Sequence, residues 1–397
     1  MKPIDRNRLV FAGAGLSGSG YPNARNVARA LAKAPGLHVM DCAGWLPEEF
    51  HLWKLTKSSF PRRILGLARL FMIDAVSIIR GLRQVKDGVL VIPYPYLSSL
   101  LVLSLLPRRF RPPIIVDVYN SLWISLIEDR RIRPRKSISA RILRTLEGRA
   151  LHTADALVVD TERNAEKLGK LHSLQESTLV TAPLALDPAW HVTPSSTRAD
   201  TKLRVLFIGT MIPLHGLEVI AQAVSEFTAD DGIEFEFIGT GQSDYVIAQL
   251  ASEIPFVTWT SEWLDAERLR GRLAEADVAL GIFGGHGKAA LVLPWKIYIA
   301  MAKGLPVISQ SMYSTPAGCP SLPILHADSV QELVAGIRRL QNDTAFRLNL
   351  GREAQDYFCR HLDESSVIDA WRAAIDQGVR NHRWNQKHIR SPDKPTP

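Results

Sequence analysis

Residues 281–308 read GIFGGHGKAALVLPWKIYIAMAKGLPVI, and the architecture of the C-terminal half follows from them. A short apolar run leads into several glycines. Pro294 then stands at the start of a predicted helix, which ends at Gly304, and Pro306 opens a new strand. A strand, a loop, a helix and another strand in this order form the repeating unit of a parallel α/β sheet.

The same alternation of short apolar runs and amphipathic helices continues on both sides of this stretch. Predicted strands in the C-terminal half are Leu203–Gly209, Ile233–Gly239, Val257–Thr260, Val278–Ile282 and Pro306–Ser309. Those in the N-terminal half are Leu9–Ala12, His38–Asp41, Val89–Ile92, Ile114–Asp117 and Ala156–Asp160. The sequence therefore predicts two Rossmann-like, doubly wound α/β domains that face a cleft and bind ligands at the carboxyl ends of their strands.

A polar stretch that contains proline and serine, Asp187–Thr201, interrupts the alternation and predicts a domain boundary. We expect an N-terminal domain over residues 1–187, a linker over 188–201 and a C-terminal domain over 202–362. A helix over 363–379 is a candidate for packing back on the N-terminal domain. The basic, polar residues 380–397 are expected to form a disordered tail.

The bulk composition indicates a cytoplasmic protein with more than one core. At 397 residues the chain exceeds what a single hydrophobic core organises. Its three cysteines lack the spacing of a zinc site or a disulfide framework, and no apolar signal segment follows Met1. Prolines interrupt the most apolar stretch, Gly88–Leu106, so we expect a strand there, followed by a short buried or membrane-resting helix.

Positive charge is concentrated in residues 54–86, where eight Lys or Arg residues stand against the single acid Asp74. On a helix that starts at Pro61, an arginine stripe separates from a set of apolar residues: Arg62, Arg69, Arg80 and Arg83, against Ile64, Leu67, Phe71, Ile78 and Leu82. This pattern predicts a cationic amphipathic helix on an anionic membrane surface. A solvated face with an ordinary buried side is the alternative. Nucleic acid is disfavoured because no nucleic-acid-binding module is recognisable.

The first βα loop, Gly13–Gly20, contains a literal G-x-G-x-x-G. In a dinucleotide site the helix starts inside the glycine run so that its amides meet the pyrophosphate, whereas Pro22 places the helix start later here. We therefore favour a flexible glycine loop at the cleft, with Gly15, Ser17 and Gly18 closing on a nucleotide donor. Dinucleotide binding and a purely structural turn are the alternatives.

Candidates for binding a phosphate lie in the C-terminal half. The loop Gly209–Gly216 links a strand to a helix, and such loops point backbone N–H groups toward phosphates. Lys288 and Lys296 fall near the start of the helix that begins at Pro294, where they supply positive charge to a pyrophosphate leaving group. An ordinary turn and solvated surface lysines are the alternative interpretations.

Over nearly its whole length the chain resembles the retaining family 4 glycosyltransferases of the bacterial polysaccharide type. The similar features are the G-x(4 to 5)-H/K-G opening from Gly209, the glycine-ended strand that includes Gly239, and the P-x-K-x(4)-M-A-x-G-x-P-V run from Pro294. In the first domain, the surroundings of Asp117 and Glu128 are similar to one branch of the family. The resemblance implies the GT-B fold and a metal-independent transfer from a nucleotide sugar, with retention at the anomeric carbon.

Several positions depart from the family pattern. Ile299 stands where members usually carry a glutamate thought to hold the donor ribose, and an isoleucine accepts no hydrogen bond. Thr210 and His215 replace an arginine and a lysine that usually grip the donor phosphates. Lys288 and Lys296 are the candidates to compensate for this lost basic pair.

We therefore expect a hexosyltransferase that moves a sugar from a nucleoside diphosphate donor to a lipid-linked or polysaccharide acceptor, at the cytoplasmic face of the inner membrane, during surface glycan assembly. Asp117 and Glu128 are the candidates near the acceptor, although Asp117 also fits a turn or a helix N-cap. No metal or other cofactor is expected. A non-catalytic GT-B binding subunit and a nicotinamide-dependent oxidoreductase are the alternatives.

Overall fold

A computed structural model describes residues 3–16, 23–47, 59–190, 202–262 and 264–390. The chain forms two compact units. The first comprises Met1–Ile127, Ile132–Ala185 and Glu364–Pro397, and the second comprises Glu128–Arg131 and Leu186–Asp363. Residues 128–131, which the sequence assigned to the first domain, group with the second unit. Most of the expected linker, residues 191–201, lies outside the described part of the chain.

The first unit is built on a six-stranded parallel sheet with the strand order β3-β1-β5-β6-β7-β8. Its strands are β1 (Arg8–Phe11), β3 (His38–Asp41), β5 (Val89–Ile92), β6 (Ile114–Asp117), β7 (Ala156–Val159) and β8 (Leu179–Thr181). Two short segments, β2 (Ala14–Gly15) and β4 (Gly44–Trp45), pair with each other. The strands β5, β6 and β7 are buried along their whole length, because helices cover both faces of the sheet.

Five helices follow these strands: α1 (Asn23–Lys33), α2 (Phe60–Val85), α3 (Leu97–Ser104), α4 (Ile138–Leu151) and α5 (Glu162–His172). The helices α2 to α5 share one core cluster with sheet residues such as Val10 and Val116. On the opposite face, α1 and the C-terminal helix pack around Phe11 and Val91. A π-helical turn covers Ile124–Asp129.

The second unit contains another six-stranded parallel sheet, with the order β11-β10-β9-β12-β13-β14. Its strands are β9 (Leu203–Ile208), β10 (Ile233–Ile238), β11 (Val257–Thr260), β12 (Val278–Leu280), β13 (Val307–Ser309) and β14 (Leu325–His326). Its helices are α6 (Leu217–Val224), α7 (Asp244–Glu253), α8 (Ala266–Glu275), α9 (Trp295–Ala302), α10 (Val330–Asn342) and α11 (Thr344–His361). The prediction of two doubly wound α/β sheets is confirmed.

The C-terminal helix α12 (Glu364–Arg390) packs on the first unit, where Trp371 is 1% exposed. It continues beyond residue 379, so the prediction of a disordered tail is wrong for residues 380–390. Its polar side chains find partners there: His382 Nδ1 lies 3.0 Å from Asp155 Oδ2, and Gln386 Nε2 donates to the Arg108 carbonyl at 3.0 Å. Residues 391–397 lie outside the described range.

The most apolar stretch forms β5 and α3, so the expectation of a strand and a short helix over Gly88–Leu106 is confirmed. Among the described residues, no helix combines the length and the apolar character needed to span a bilayer.

Candidate functional site

The strand order of the second unit reverses between the neighbouring strands β9 and β12. In doubly wound sheets, ligands bind at this point, outside the carboxyl ends of the strands. The loop Gly209–Gly216 follows β9, and residues 281–294 follow β12. The two loops meet directly, because the Phe283 N–H donates to the His215 carbonyl at 3.0 Å.

Close backbone contacts with the loops after β12 and β10 require glycine at positions 216 and 239. Gly216 has φ 63°, and a Cβ atom there would lie 2.3 Å from the Phe283 carbonyl group. A Cβ on Gly239 would lie 2.2 Å from the Gly209 carbonyl oxygen. Gly239, predicted as a ligand contact, thus packs against the backbone of Gly209. Only glycine lets these loops converge at the carboxyl edge of the sheet.

Lys296 lies in the first turn of α9 and is buried, so the interpretation of this residue as a solvated surface lysine is wrong. Its Nζ atom lies 3.6 Å from the centroid of the Phe207 ring. A Cβ on Gly209 would lie 3.0 Å from this nitrogen, so the amine lies against the start of the β9 loop. Burial holds the pKa of Lys296 well below its ordinary value, because water cannot solvate the ammonium form.

His215 lies beside the same glycine. Its Cε1 atom would be 3.0 Å from a Cβ on Gly209, and its ring packs edge-on against Phe207 at a centroid distance of 5.5 Å. Burial lowers the pKa of His215 well below its ordinary value. The charges of Lys296 and Lys288 lower it further, whereas a hydrogen bond with the Thr210 backbone opposes the shift.

Three buried nitrogens in this region have no hydrogen-bond partner among the described residues: His215 Nδ1, Trp295 Nε1 and Lys296 Nζ. Leaving a buried donor unsatisfied costs about 1–3 kcal/mol, so native proteins seldom do so without a functional reason. Of these three, the Lys296 amine is a donor that lies against Gly209, and a bound group rich in acceptor oxygens would satisfy it. A phosphate or diphosphate has this chemistry.

The remaining predicted residues of this region have different surroundings. Lys288 Nζ lies 3.7 Å from Asp129 Oδ2, so its charge is already opposed by a carboxylate within the same unit. Pro294 is the N-cap of α9, and Thr210 is half-buried in the β9 loop. Ile299 is 1% exposed and contributes an apolar side chain to the core.

Sequence reasoning missed Gln310, which follows β13 and is buried. Its Oε1 accepts from the Gly285 N–H at 2.7 Å, and its Nε2 donates to the Gly285 carbonyl at 3.1 Å. Ser309 similarly accepts from the Ile282 N–H at 3.0 Å. These two side chains hold the β12 loop in place. A polar pair after a predicted strand was the only signal that the sequence offered.

In the first unit, Asp117 ends β6 and is buried. The Asn23 side chain donates to its two carboxylate oxygens at 3.3 and 3.1 Å, and Asn23 Oδ1 accepts from the Ala185 N–H at 2.8 Å. Burial raises the pKa of Asp117 to about 7; the Asn23 hydrogen bond opposes the shift, and the charge of Asp160 adds to it. Asp117 is therefore poised between its neutral and charged forms near neutral pH.

Glu128 is half-buried and belongs to the second unit, whereas Asp117 belongs to the first. The glutamate that shapes the chain after β6 is Glu147 on α4, which the sequence did not single out. Its fully buried carboxylate accepts from the Leu122 and Trp123 N–H groups at 2.6 and 3.0 Å and from the Tyr96 hydroxyl at 2.7 Å. Glu147 thus anchors the segment that follows Asp117.

In the described part of the first glycine loop, the Gly13 and Ala14 amides bind side chains of α2. The Gly13 N–H donates to Ser77 Oγ at 2.7 Å, and the Ala14 N–H donates to Asp74 Oδ1 at 2.6 Å. The Ser77 hydroxyl and the Asp74 carboxylate therefore occupy these two donors in place of a pyrophosphate, which argues against a dinucleotide site. Gly15 lies in β2 beside the Trp45 ring, and Ser17 and Gly18 lie outside the described residues.

Residues 202–343 match the family model described as glycosyl transferases group 1. The match covers less than half of the chain and falls within the second unit. No curated protein has a matching sequence.

Several solved structures share the fold. Sucrose-phosphate synthase from Thermosynechococcus elongatus has a TM-score of 0.63 at 15% identity, covering 97% of this chain and 100% of its own. Anabaena HepE in complex with UDP has a TM-score of 0.61 at 11% identity, covering 93% of this chain and 99% of its own.

S. aureus TarM, solved as a mutant with fondaparinux, alpha-GlcNAc-glycerol and UDP, has a TM-score of 0.54 at 11% identity. The alignment covers 76% of this chain, which spans 59% of the TarM chain. At such identities the similarity shows the fold alone. The GT-B fold and the resemblance to glycosyltransferases are confirmed.

Proposed function

We propose that this chain, which has the GT-B fold and whose residues 202–343 match glycosyl transferases group 1, moves a hexosyl group from a nucleoside diphosphate sugar to an acceptor. The observation that carries the proposal is the buried amine of Lys296, which has no hydrogen-bond partner among the described residues and lies against Gly209 at the strand reversal of the second sheet. UDP is the first nucleotide to test, because the structures of HepE and TarM hold it.

In this mechanism the second unit stabilises the leaving group. As the bond between the sugar and the diphosphate breaks, negative charge grows on the phosphate oxygens. Protonated Lys296 donates to these oxygens in a site with little water, where such interactions are strong. We propose retention of the anomeric configuration because the family resemblance implies it. We propose that no bound metal is needed, because Lys296 supplies positive charge to the leaving group.

The acceptor belongs to surface glycan assembly and is lipid-linked or a polysaccharide. Asp117, buried at the carboxyl end of β6, is proposed to bind an acceptor hydroxyl, and Glu128 is the second candidate for this role. A carboxyl group whose pKa is about 7 either accepts or donates a hydrogen bond near neutral pH. This property suits the recognition of a hydroxyl group.

The protein is proposed to act at the cytoplasmic face of the inner membrane, with residues 54–86 on an anionic lipid surface. In α2, Leu65 and Met72 are 71% and 61% exposed, and the arginine stripe is exposed as well. The opposite side of α2 is buried in the core of the first unit through Leu70 and Ile78. Exposed apolar side chains among arginines favour lipid contact over simple solvation. Residues 54–58 lie outside the described range.

Transfer is tested with the purified full chain, UDP-, GDP- and ADP-hexoses, and a bacterial membrane lipid extract in the presence of a metal chelator. We expect release of nucleoside diphosphate from one donor, and a product whose anomeric proton coupling matches that of the donor. Lys296→Met should lose this release. Lys303→Met is the matched control, because Lys303 is also a buried lysine but directly follows α9, at the opposite end from Lys296. Equal loss in both variants would contradict the assignment.

A non-catalytic GT-B binding subunit is the second candidate. Thr210, His215 and Ile299 replace the residues that members of the family commonly use to hold the donor, and Ile299 is buried. Tight diphosphate binding without release from any donor sugar would favour this candidate. The oxidoreductase alternative loses support, because Ser77 and Asp74 already bind the Gly13 and Ala14 amides of the first glycine loop.

A further inference from the structure

The helices α2, α3 and α4 form one layer on the first unit. Leu70 and Ile78 of α2, Leu100 of α3 and Leu151 of α4 belong to the same core cluster beneath them. Because α3 packs against both of the other helices, it lies between them. The axes of packed helices lie about 8–10 Å apart, so the axes of α2 and α4 are separated by roughly twice this distance, with α3 between them. Their outer faces point away from the sheet.

The outer face of α4 carries an apolar stripe with arginines on it and beside it. Ile138, Ile142 and Leu146 follow one another at intervals of four residues, which places them on one side of the helix. Ile138 is 77% exposed and Ile142 is 54% exposed. Leu105, directly after α3, is also largely exposed. Large apolar residues that project together from a surface indicate an interaction site.

The charges on this layer all have the same sign. In α2 the only acid is Asp74, and in α4 the only acid is Glu147; both are fully buried. The exposed charges are cations, on α2, after α3, and on or before α4: Arg62, Arg69, Arg80, Arg83, Arg108, Arg109, Arg133, Arg135, Lys136, Arg141, Arg144 and Arg149. Within the described part of 59–86, 97–111 and 132–151, no acidic side chain reaches the surface. The surface is therefore complementary to a sheet of anionic groups.

From this geometry we propose that α4 is a second membrane-contacting helix, so that the α2–α3–α4 layer lies flat on an anionic lipid bilayer. Ile138, Ile142 and Leu146 enter the interface, and Arg141 and Arg149 bind lipid phosphates, whereas the Arg144 guanidinium donates to the Leu171 carbonyl. Apolar insertion combined with surrounding cations is the chemistry of a peripheral membrane helix. The inference extends the membrane contact proposed above for α2 and does not depend on the chemistry at the donor site.

Vesicle flotation tests the proposal with the full chain. The vesicles contain either phosphatidylcholine alone or phosphatidylcholine with phosphatidylglycerol. We expect binding to the anionic vesicles that weakens with added salt. The pair Ile138→Ser and Ile142→Ser should lower this binding about tenfold or more, because burying one such side chain is worth about a tenfold gain or more. The melting temperature and UDP binding should not change.

The matched control is the pair Tyr245→Ser and Leu348→Ser, which removes exposed apolar side chains from the second unit and should bind vesicles as the unmodified chain does. A second variant, with Leu65→Ser and Met72→Ser on α2, distinguishes the contribution of α2 to vesicle binding from that of α4. If the α4 variant binds anionic vesicles normally and the α2 variant does not, α4 does not contact the membrane and the proposal is overturned. Concentration-dependent dimerisation that the α4 pair abolishes, without vesicle binding, would also overturn the proposal. UDP binding is measured in parallel, so failure at the donor site would be seen separately.

Discussion

Lys296 combines two properties that native proteins rarely combine without a functional reason: its amine is buried, and it has no hydrogen-bond partner in the described part of the chain. An unsatisfied buried donor lowers the stability of the folded state by about 1–3 kcal/mol. We therefore expect Lys296→Met to raise the free energy of unfolding by about this amount, while donor binding is lost.

Thermal unfolding checks this expectation. A gain of 1 kcal/mol corresponds to a rise in Tm of about 2–4 °C for a unit of this size. Lys303→Met serves again as the control, because it removes a buried lysine without touching the candidate site. A clear drop in the Tm of Lys296→Met would show that the amine stabilises the fold, and the assignment to a ligand would then fail.

The lowered pKa of Lys296 makes donor binding depend on pH. Diphosphate favours the ammonium form and therefore raises the pKa of the bound amine. Between the pKa of the empty site and that of the complex, binding takes up a proton, so affinity falls as pH rises through this window. His215 shifts in the same direction, and Lys288, paired with Asp129, adds a positive charge nearby.

Calorimetry of UDP binding in two buffers with different ionisation enthalpies measures this proton uptake. We expect a positive number of protons for the unmodified chain and a smaller number for Lys296→Met. An uptake of zero at every pH, together with normal affinity, would mean that the amine is already charged in the empty site.

The loops after β9 and β12 are held together by backbone contact at Gly216. We expect Gly216→Ala to destabilise the second unit by at least about 1–3 kcal/mol, because the residue has a positive φ and its Cβ would meet the Phe283 carbonyl. Gly271→Ala is the control: this glycine lies in α8, and a Cβ there meets no atom within 4 Å. It should stabilise the protein by about 0.5–1 kcal/mol. Urea unfolding distinguishes these opposite signs.

The C-terminal helix α12 completes the core of the first unit. Trp371→Ala should cost about 3–5 kcal/mol, as expected when a fully buried tryptophan is truncated. Trp384 lies on the same helix but is 44% exposed, so Trp384→Ala should stay within about 0.5 kcal/mol. Equal effects of the two substitutions on urea unfolding would contradict the packing described for α12.

Elements with continuous apolar runs were predictable from the sequence. Val89–Ile92 forms β5 within the predicted bounds, and α9 begins directly after Pro294. The strands β8 and β14 were missed, because both are short and only partly buried, so their pattern resembles that of a loop. The last part of α12 was missed for another reason. His382 is buried by its contact with Asp155, a residue far away in the sequence.

The candidate site shows the same limit. A family pattern indicated Lys296 and the glycines. Local sequence does not reveal that the Lys296 amine lies over the Phe207 ring and has no hydrogen-bond partner among the described residues. Asp74 is the opposite case. The sequence showed it as the only acid of a cationic segment, whereas the structure uses it to hold the first glycine loop. Both facts depend on contacts between distant segments.

The main sheet of each unit has one reversal in its strand order. The polar groups near the two reversals differ in whether they have hydrogen-bond partners. In the first sheet it lies between β1 and β5, and the chain's own Asp74 and Ser77 bind the amides after β1. In the second sheet it lies between β9 and β12, where three buried nitrogens lack partners among the described residues. Among the described residues at the two reversals, an unpartnered buried amine therefore lies only at that of the second sheet.

The most direct test of this account is isothermal titration of UDP, GDP and ADP into the full chain without metal, repeated for Lys296→Met and Lys303→Met. We predict that one diphosphate binds, that Lys296→Met weakens its binding about 10- to 100-fold through loss of a charge-assisted contact, and that Lys303→Met binds normally. A folded, unmodified chain that binds none of the three nucleotides would contradict the account.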